Sequence, residues 1–531
     1  MNILRKLLSS FLLVLFLYSP VYLKAQTDVA LVELASEMFE FGDYEGALEL
    51  YLQAIIINEQ NQKANLMTGR CYLRTTNAKP KSIPYFHKAF RLNPDVNNKI
   101  FFYIGEGYRF GYEFDKAMEH YERYLEMLET DSRCCPNEDI PYLIKRTKKR
   151  IEECKNAQKY VNAPGTAIIT NLGNEVNSEF DDYAPTLSAD GNLLFFTSRR
   201  MGSTGGLKDV DHKFYEDIFV SRFEDGKWTT PENMGDKINT IYHESNIGLS
   251  PDGTNLYIYT IENNGDIYTS KLKNGEWSKP KAFKHVNTEY QETTVNETSD
   301  GKMLFFSSNK PGGKGGLDIY YCLRVKADKW SEPRLLSDVI NTEYDEEGAM
   351  FDVQNNILYF SSKGHNGMGG YDLYKSTYNP DEDTWTQPKN LGYPVNSSDD
   401  DLFFTLSSDG EKGYYASFKE DSRGGIDIYT IKFIDELEQA RIAEERRKKE
   451  VVIGYKVIDD ETGEIINADI SFLSSKTGQN AGEITFNGEL VQKIFTPDME
   501  GDYVVTIKSQ GDKADDYVIE NIDITITSST K

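Results

Sequence analysis

Residues 287–330 read NTEYQETTVNETSDGKMLFFSSNKPGGKGGLDIYYCLRVKADKW. An Asn-Thr-Glu opening is followed by a Ser-Asp-Gly turn, an aromatic run, a glycine-rich loop, an Asp-Ile-Tyr run and a tryptophan. Short runs of Tyr, Phe, Ile and Thr between Gly, Pro and Asn are typical of β-strands joined by tight turns. The segment therefore predicts one small sheet of about four strands.

The same order of elements recurs between residues 164 and 433. The openings lie at Asn177, Asn239, Asn287, Asn341 and Asn396, spaced 62, 48, 54 and 55 residues apart. This period, with four strands in each copy, predicts the blades of a β-propeller. Only four of the five copies contain the tryptophan, so the last copy lacks its fourth strand. Asn171-Leu172-Gly173, before the first copy, matches Asn390-Leu391-Gly392. Residues 166–173 are therefore expected to supply the missing strand and close a five-bladed ring. A six-bladed ring with one degenerate blade is the alternative. The repeats resemble the TolB-like class of WD40-type propellers.

Residues 28–160 show helical periodicity and almost no strand signal. Small residues recur with a spacing of 12, as at Ala35 and Ala47 and again at Gly105 and Ala117, and aromatic residues follow each pair. Small residues let paired helices approach closely, and we expect the aromatic side chains to fill the gaps between repeats. The spacing resembles the tetratricopeptide repeat (TPR). It predicts an α-solenoid with repeats at 28–61, 62–96 and 98–131 and a capping helix near 138–160, with an ordinary helical bundle as the alternative.

The N-terminus predicts a secretory signal peptide over residues 1–25. Arg5 and Lys6 precede a short apolar run, and cleavage is expected after Ala25. An uncleaved membrane anchor is the alternative. Because no second apolar run of 18 residues follows, the mature chain is not expected to insert into a membrane. Export would permit a disulfide from Cys154 to Cys134 or Cys135.

The last part of the chain returns to strand-like patterns. Residues 434–450 are rich in Glu, Arg and Lys and predict a charged helical linker, with a docking helix as the alternative. Alternating apolar residues in 451–531 resemble the carboxypeptidase regulatory-like domain and predict a C-terminal β-sandwich. An unrelated small sandwich is the alternative. The whole chain is thus predicted to be a multidomain α and β protein.

The charge of the chain excludes some classes of partner. Asp and Glu number 85 against 59 Lys and Arg, for a formal net charge of −26. Nucleic acid binding depends on a basic surface, so nucleic acid is not an expected partner. Anionic lipid is excluded for the same reason. No zinc-protease, serine-hydrolase or phosphate-loop motif is present, and we predict no cofactor and no metal site.

Acidic residues are the remaining candidates for chemistry. Those at the blade openings are Asp181, Asp182, Glu244, Glu292, Glu346, Asp400 and Asp401, and those at the third strands are Asp217, Asp266, Asp318, Asp372 and Asp427. A glycosidase needs one acid and one base with different pKa values. Acids that recur in every blade more simply stabilise the same turn, so we predict a structural role, with ligand binding and catalysis as alternatives. The first blade also contains an insertion at 207–215, including His212, which is either a binding loop or tolerated surface length.

Polar residues on the first helices of the repeats are the candidate partner-binding residues. Arg70, Lys99 and Arg109 are expected to be exposed on a concave face, where they could grip a peptide or a carboxylate. Ordinary solvated charge is the alternative reading of these residues.

The order of leader, TPR array, propeller and sandwich resembles the PorE-type periplasmic proteins associated with type IX secretion and gliding. The resemblance implies a non-enzymatic scaffold of the periplasm, with envelope or secretion-machinery proteins as partners and outer-membrane association through them. Family members typically end in an OmpA-like domain that binds peptidoglycan. Residues 451–531 are expected to hold the sandwich alone, so the resemblance does not extend to peptidoglycan binding; a paralogue without an anchor or a shortened chain would explain this. The alternatives are a glycan-binding or glycan-cleaving propeller and a TolB-like protein of envelope integrity.

Overall fold

The computed structural model describes residues 27–75, 78–130, 139–327, 329–435, 437–438, 441, 451–455, 468–475, 480–486, 491–495, 501–509 and 520–526. The predicted leader, Cys134 and Cys135, and most of the predicted linker lie outside these residues. Within the described part of the chain, no helix is both long enough and apolar enough to cross a membrane.

Between residues 27 and 162, the described part of the chain forms seven α-helices, which together are called the helical array. They are α1 Asp28–Phe41, α2 Tyr44–Ile57, α3 Gln62–Tyr72, α4 Ser82–Leu92, α5 Ile100–Phe110, α6 Phe114–Thr130 and α7 Ile140–Asn162. Helices α1 and α2, α3 and α4, and α5 and α6 pack as pairs, and α7 packs on α6. A helical N-terminal region is confirmed, whereas its assignment to the TPR family stays a prediction.

Glycines set the close packing within two of the pairs. A Cβ atom at Gly105 would lie 2.6 Å from the ring of Tyr121, and one at Gly69 would lie 2.6 Å from the ring of Phe86. The aromatic rings therefore fill space inside a pair, where the sequence suggested that they fill the gap between repeats. The expected packing between repeats is found at one of these rings, because Phe86 also stacks on Tyr103 of the next pair, with the ring centres 5.6 Å apart.

Five antiparallel sheets form the propeller, and the sheets are numbered as blades. Blade 1 contains β2 Asp182–Leu187, β3 Leu193–Ser198, β4 Asp217–Glu224, β5 Lys227–Trp228 and β6 Glu232–Asn233. Blade 2 contains β7 Glu244–Leu249, β8 Asn255–Thr260, β9 Asp266–Lys273, β10 Glu276–Trp277 and β11 Lys281–Ala282. Blade 3 contains β12 Glu292–Glu297, β13 Met303–Ser308, β14 Asp318–Lys326, β15 Lys329–Trp330 and β16 Arg334–Leu335. Blade 4 contains β17 Glu346–Asp352, β18 Ile357–Ser362, β19 Asp372–Asn379, β20 Thr384–Trp385 and β21 Lys389–Asn390. Blade 5 contains β22 Asp401–Leu406, β23 Lys412–Ser417, β24 Asp427–Phe433 and, as its outer strand, β1 Ala167–Asn171.

The ring closes through a strand from the other end of the domain. Strand β1 pairs antiparallel with β24, from Ala167 opposite Phe433 to Asn171 opposite Tyr429. The first strands of the blades contact one another in the order 1-2-3-4-5-1. The five-bladed propeller and its closure by the segment before blade 1 are confirmed, and the six-bladed alternative is wrong.

The outer strand of blades 1 to 4 is divided into two short pieces. In blade 1, β5 and β6 flank Pro231, and both pair with β4. Proline has no N–H to donate to a ladder, so it interrupts the strand where the sequence places it three residues after a tryptophan. Short, interrupted outer strands offer little edge for unwanted pairing with other chains.

The described residues of the C-terminal region form two antiparallel sheets. One pairs β25 Val451–Tyr455 with β28 Val491–Phe495, and the other has the order β27 Asn480–Phe486, β26 Ala468–Ser474, β29 Gly501–Ser509 and β30 Glu520–Ile526. These strands agree with an all-β region, while the regulatory-like sandwich stays a prediction.

The described cysteines are unpaired. Cys71, Cys154 and Cys322 are free and buried. Cys154 packs into the apolar core of the helical array as a free thiol, and its predicted bridge partners, Cys134 and Cys135, lie outside the described residues. Burial raises the pKa of Cys154 to about 12, which keeps this thiol protonated and unreactive at neutral pH.

Candidate interaction site on the upper face of the propeller

An asparagine at each blade opening holds the third strand of the preceding blade. The side-chain oxygen of Asn341 accepts a hydrogen bond from Ile319 N–H at 2.8 Å, and the side-chain NH₂ group of Asn341 donates to Ile319 O at 3.0 Å. One side chain thus satisfies both polar groups of a buried residue. The same clamp joins Asn177 to Ile428, Asn239 to Ile218, Asn287 to Ile267 and Asn396 to Leu373.

The recurrent acids of the openings stabilise the turn that precedes each blade. Glu346 accepts hydrogen bonds from Thr342 N–H at 2.7 Å, from Thr342 Oγ1 at 2.6 Å and from Ser362 Oγ at 2.7 Å. The equivalent acids accept from the corresponding turn residues: Asp182 from Ser178, Glu244 from Thr240, Glu292 from Thr288 and Asp401 from Ser397. Their geometry agrees with the predicted structural role.

The aspartates that begin the third strands bind the glycine-rich loops. Asp372 accepts from Met368 N–H at 2.6 Å and from Gly369 N–H at 3.1 Å. Asp217, Asp318 and Asp427 likewise accept from loop amides. Asp266 differs, because it accepts from the Asn263 side chain at 2.9 Å. The prediction that turn amides bind these carboxylates therefore holds in four blades.

The helical array lies on one face of the propeller. This upper face consists of the loops that enter the first strands and the loops that join second to third strands. Arg109 donates to Ser398 O, and Lys79 forms an ion pair with Asp399, at the opening of blade 5. Asp43, in the turn between α1 and α2, bonds to Nε2 of His212 at 2.8 Å. Turns from all three helix pairs thus contact the upper face.

Helix α7 adds a second line of contacts along blade 4. Lys145 pairs with Glu343 at 2.7 Å, and Asn156 and Tyr160 donate to backbone carbonyls of the loop that joins β18 to β19, each at 3.1 Å. Met368 of the same loop is fully buried in the core of the helical array. This apolar contact makes the array and the propeller share one core.

The three predicted partner-binding residues have different surroundings. Arg109 is 2% exposed, so the expectation that it lies on an open surface is wrong: Glu106 and Ser398 O occupy its guanidinium. Arg70 is half-buried, with its guanidinium 4.7 Å from the ring centre of Phe39. Lys99 is half-buried at the start of α5, where its backbone N–H donates to Asn97 at 2.8 Å. The structure does not bring the three side chains together.

The insertion in blade 1 contacts both domains. Lys208 and Phe214 form a β-bridge across it, and Arg199 at its base binds Asp211 through two bonds of 2.6 and 2.8 Å. From this support His212 reaches Asp43 of the helical array. The insertion is therefore a structural contact between domains, a role that its length alone did not indicate.

The central channel is narrow. All five first strands have a β-bulge, and the cavity between them has a volume of about 40 Å³. That volume accommodates about one water molecule. Asn246 lines the cavity, and its fully buried side-chain oxygen has no hydrogen-bond partner among the described residues.

Two acids near the starts of β4 and β17 break the repeat. Glu216 stands where the other blades have Gly265, Leu317, Tyr371 and Ile426, and Glu347 stands where they have Tyr183, Ser245, Thr293 and Leu402. Burial acts to raise the pKa of Glu216, yet hydrogen bonds from His243 and Tyr183 hold it below its usual range. Burial raises the pKa of Glu347 to about 7, and its bond from Thr293 Oγ1 at 2.7 Å only partly offsets this. The two carboxyl groups share no neighbour in these contacts.

The known proteins that resemble this chain share little of its sequence. No protein-family model matches the chain, and no curated protein matches it. Among solved structures, TolB from Acinetobacter baumannii is 16% identical over 57% of this chain and 66% of its own, with a TM-score of 0.29. An α-L-arabinofuranosidase from Lactobacillus brevis is 14% identical over 49% and 94%, with a TM-score of 0.33. A gluconolactonase from Xanthomonas campestris is 11% identical over 50% and 90%, with a TM-score of 0.28.

Proposed function

We propose that this protein is a non-enzymatic scaffold of the bacterial cell envelope that holds protein partners on one rigid body. The observation that supports it best is the buried docking of the helical array on the propeller. Met368 of the propeller is part of the array's core, and Arg109 of the array is buried against a propeller carbonyl. A body in which two repeat domains share a core can hold partners at fixed separations, which is what a scaffold requires.

The finer part of the proposal concerns location and machinery. The predicted leader supports a periplasmic location, and the order of domains supports a role beside type IX secretion or gliding proteins. Binding rather than catalysis is supported by the recurrent acids of the blade openings, because groups of the preceding turn donate hydrogen bonds to their carboxylates.

Site-specific crosslinking in the native host tests this proposal. A photo-crosslinking residue replaces Glu37, which is exposed on α1, or Asp190, which is exposed in the lower turn of blade 1. We expect crosslinks from position 37 to outer-membrane or secretion-machinery subunits, identified by mass spectrometry, and few from position 190. Equal labelling from both positions, or no protein from either, would contradict a scaffold that binds through its array.

A glycan-binding role is the second candidate, because Glu216 and Glu347 are acids outside the repeat. A glycan array probed with the full chain and with the Glu216→Gln and Glu347→Gln variants separates the two roles. Specific glycan binding that either variant abolishes would favour the second candidate. Absence of glycan binding together with crosslinks at position 37 supports the scaffold.

A further inference from the structure

The outer side of helix α1 exposes apolar side chains. Four exposed residues recur there at intervals of four, three and four and so share one side of the helix, called the α1 face: Ala30, Leu34, Glu37 and Phe41. Leu34 is 42% exposed and Phe41 is 75% exposed, whereas Ala35 on the opposite side is fully buried. The terminal helix of a stacked array needs a polar outer side to stay soluble, so these two side chains indicate a surface for a further protein element.

The α1 face continues into the contact between the helical array and the propeller. Gly42 follows Phe41 at the end of α1, and a Cβ atom placed on Gly42 would lie 3.2 Å from Cγ2 of Val210 in the blade 1 insertion. Val210 is itself 54% exposed. The next residue, Asp43, bonds to His212 of the same insertion at 2.8 Å. The docked insertion therefore places a third exposed apolar side chain at the propeller end of the α1 face.

The charge around the α1 face has a single sign. Residues 28–61, which contain α1 and α2, include eight Asp and Glu and no Lys or Arg. Glu37 lies within the face, and Glu33 and Glu40 lie along one side of it, all three exposed. The last helix of the array, α7, has the opposite balance, with seven Lys and Arg and two Glu. The acidic surface is therefore a property of the first helix pair, and it is complementary to a basic ligand.

The shape of the α1 face indicates what kind of ligand fits it. Leu34 and Phe41 are seven residues apart, which is about 10 Å at a rise of about 1.5 Å per residue. A second helix that packs along α1 would meet these side chains with apolar residues of its own at intervals of three and four. The positions that flank such a seam set the choice of partner through their charges. Opposite the glutamates of α1, these positions would be Lys or Arg.

We propose that the α1 face binds a basic amphipathic helix of a partner protein. Leu34 and Phe41 bury the apolar side of that helix, and the glutamates of α1 pair with its Lys and Arg side chains. The blade 1 insertion limits the face at its propeller end, so the bound helix lies along α1 and abuts the propeller. This inference rests on the proposed scaffold function and gives the chemistry of its partner.

Fluorescence anisotropy with synthetic helical peptides tests the inference on the intact mature protein. Three fluorescein-labelled peptides have equal length and the same seam of leucines, and they differ only in the flanking positions, which are all Lys, all Glu or all Gln. We expect the Lys peptide to bind the wild type and the Glu peptide to bind at least about tenfold more weakly, because like charges would face one another.

Glutamine variants separate the α1 face from the general acidity of the chain. The triple variant Glu33→Gln, Glu37→Gln and Glu40→Gln should weaken binding of the Lys peptide about tenfold. The matched control removes three exposed acids with similar spacing from α6, by Glu119→Gln, Glu122→Gln and Glu126→Gln. This control should change the affinity less than about twofold, because the three acids lie on another helix.

Serine variants test the apolar contacts in the same assay. Phe41→Ser should weaken binding of the Lys peptide about tenfold, because the complex then buries much less apolar surface. Val325→Ser removes a side chain that is 57% exposed on blade 3 and should leave the affinity unchanged. Unchanged thermal unfolding would show that the variants fold, as expected from the exposure of every changed side chain.

Three outcomes would overturn the inference: no binding of the Lys peptide, equal binding of the Glu peptide, or equal losses in the α1 and α6 triple variants. Self-association of the wild type that Phe41→Ser abolishes, measured by sedimentation, would overturn it too, because the face would then bind a second copy. Crosslinks at position 37 without peptide binding would reject this partner chemistry and keep the scaffold. Peptide binding without such crosslinks would reject the scaffold and keep the α1 face as a binding surface.

Discussion

Replacing Glu347 with glutamine should stabilise the propeller by an amount that grows as the pH rises from about 4.5 to about 7. The side chain is 8% exposed and keeps one strong hydrogen bond, from Thr293 Oγ1 at 2.7 Å. Burial raises the pKa of its carboxyl from 4.5 to about 7. Glutamine has nearly the same shape and retains an oxygen that can accept from Thr293, so the change removes the charge and little else.

The magnitude follows from linkage between protonation and folding. A group that binds its proton more tightly in the folded state lowers stability as the pH rises from its unfolded pKa to its folded pKa. For Glu347 this window runs from 4.5 to about 7 and corresponds to about 3 kcal/mol, at about 1.4 kcal/mol for each pKa unit. The stability of the variant relative to the wild type should therefore be near zero at pH 4.5 and about 3 kcal/mol higher at pH 8.

Urea unfolding followed by tryptophan fluorescence measures this difference, because all four tryptophans of the chain, Trp228, Trp277, Trp330 and Trp385, lie in blades. Both proteins are compared at pH 5, 6, 7 and 8. Glu382→Gln makes the same chemical change at an exposed position of blade 4 and should leave the profile parallel to that of the wild type. A stability difference for Glu347→Gln that is the same at pH 5 and pH 8 would refute the reasoning.

Three further substitutions test the ring, the domain contact and the helix packing. Thr170→Pro removes an N–H from the β1–β24 ladder and should lower the free energy of unfolding by more than about 2 kcal/mol in the urea assay, whereas Thr170→Ala should cost less than half as much. Met368→Ala should lower the free energy of unfolding by about 2–4 kcal/mol. The urea midpoints of the circular-dichroism signal at 222 nm and of the tryptophan fluorescence should fall together. A lower midpoint in one signal alone would show that the domains unfold separately. Gly105→Ala places a Cβ 2.6 Å from the ring of Tyr121 and should lower the melting temperature of the helical signal at a cost of about 1–3 kcal/mol, so an unchanged melting temperature would contradict the close packing.

Periodic features of the sequence predicted the propeller well. Five blades, their turns and the closing strand follow from repetition, because each copy repeats the same local chemistry at the same spacing. The closing strand was predictable because Asn171-Leu172-Gly173 repeats a motif that ends blade 4. The division of the outer strand around Pro231 is visible in the sequence too, since proline removes a ladder donor.

Contacts between distant segments were not predictable in this way. Arg109 fits the pattern of an exposed residue on a first helix, but the opening of blade 5, nearly 300 residues later, covers it. Met368 looks like an ordinary loop residue, and only the docking of α7 makes it part of a helical core. The shifted pKa values of Glu216 and Glu347 depend on burial and on contacts with distant residues, and repetition hides these because the other blades have different residues at the two positions.

The closure of the ring by β1 also has a mechanical consequence. The chain enters β1 from the helical array at Ala167 and leaves β24 toward the C-terminal sheets at Phe433. These two residues are paired with each other at one end of the ladder. Tension between the two ends of the chain would therefore peel β1 from β24 one hydrogen bond after another, rather than shear all of them at once. The contacts of α7 and Arg109 with the upper face bypass this ladder and carry the load first. The docked array would therefore protect the β1–β24 seam of the ring from tension along the chain.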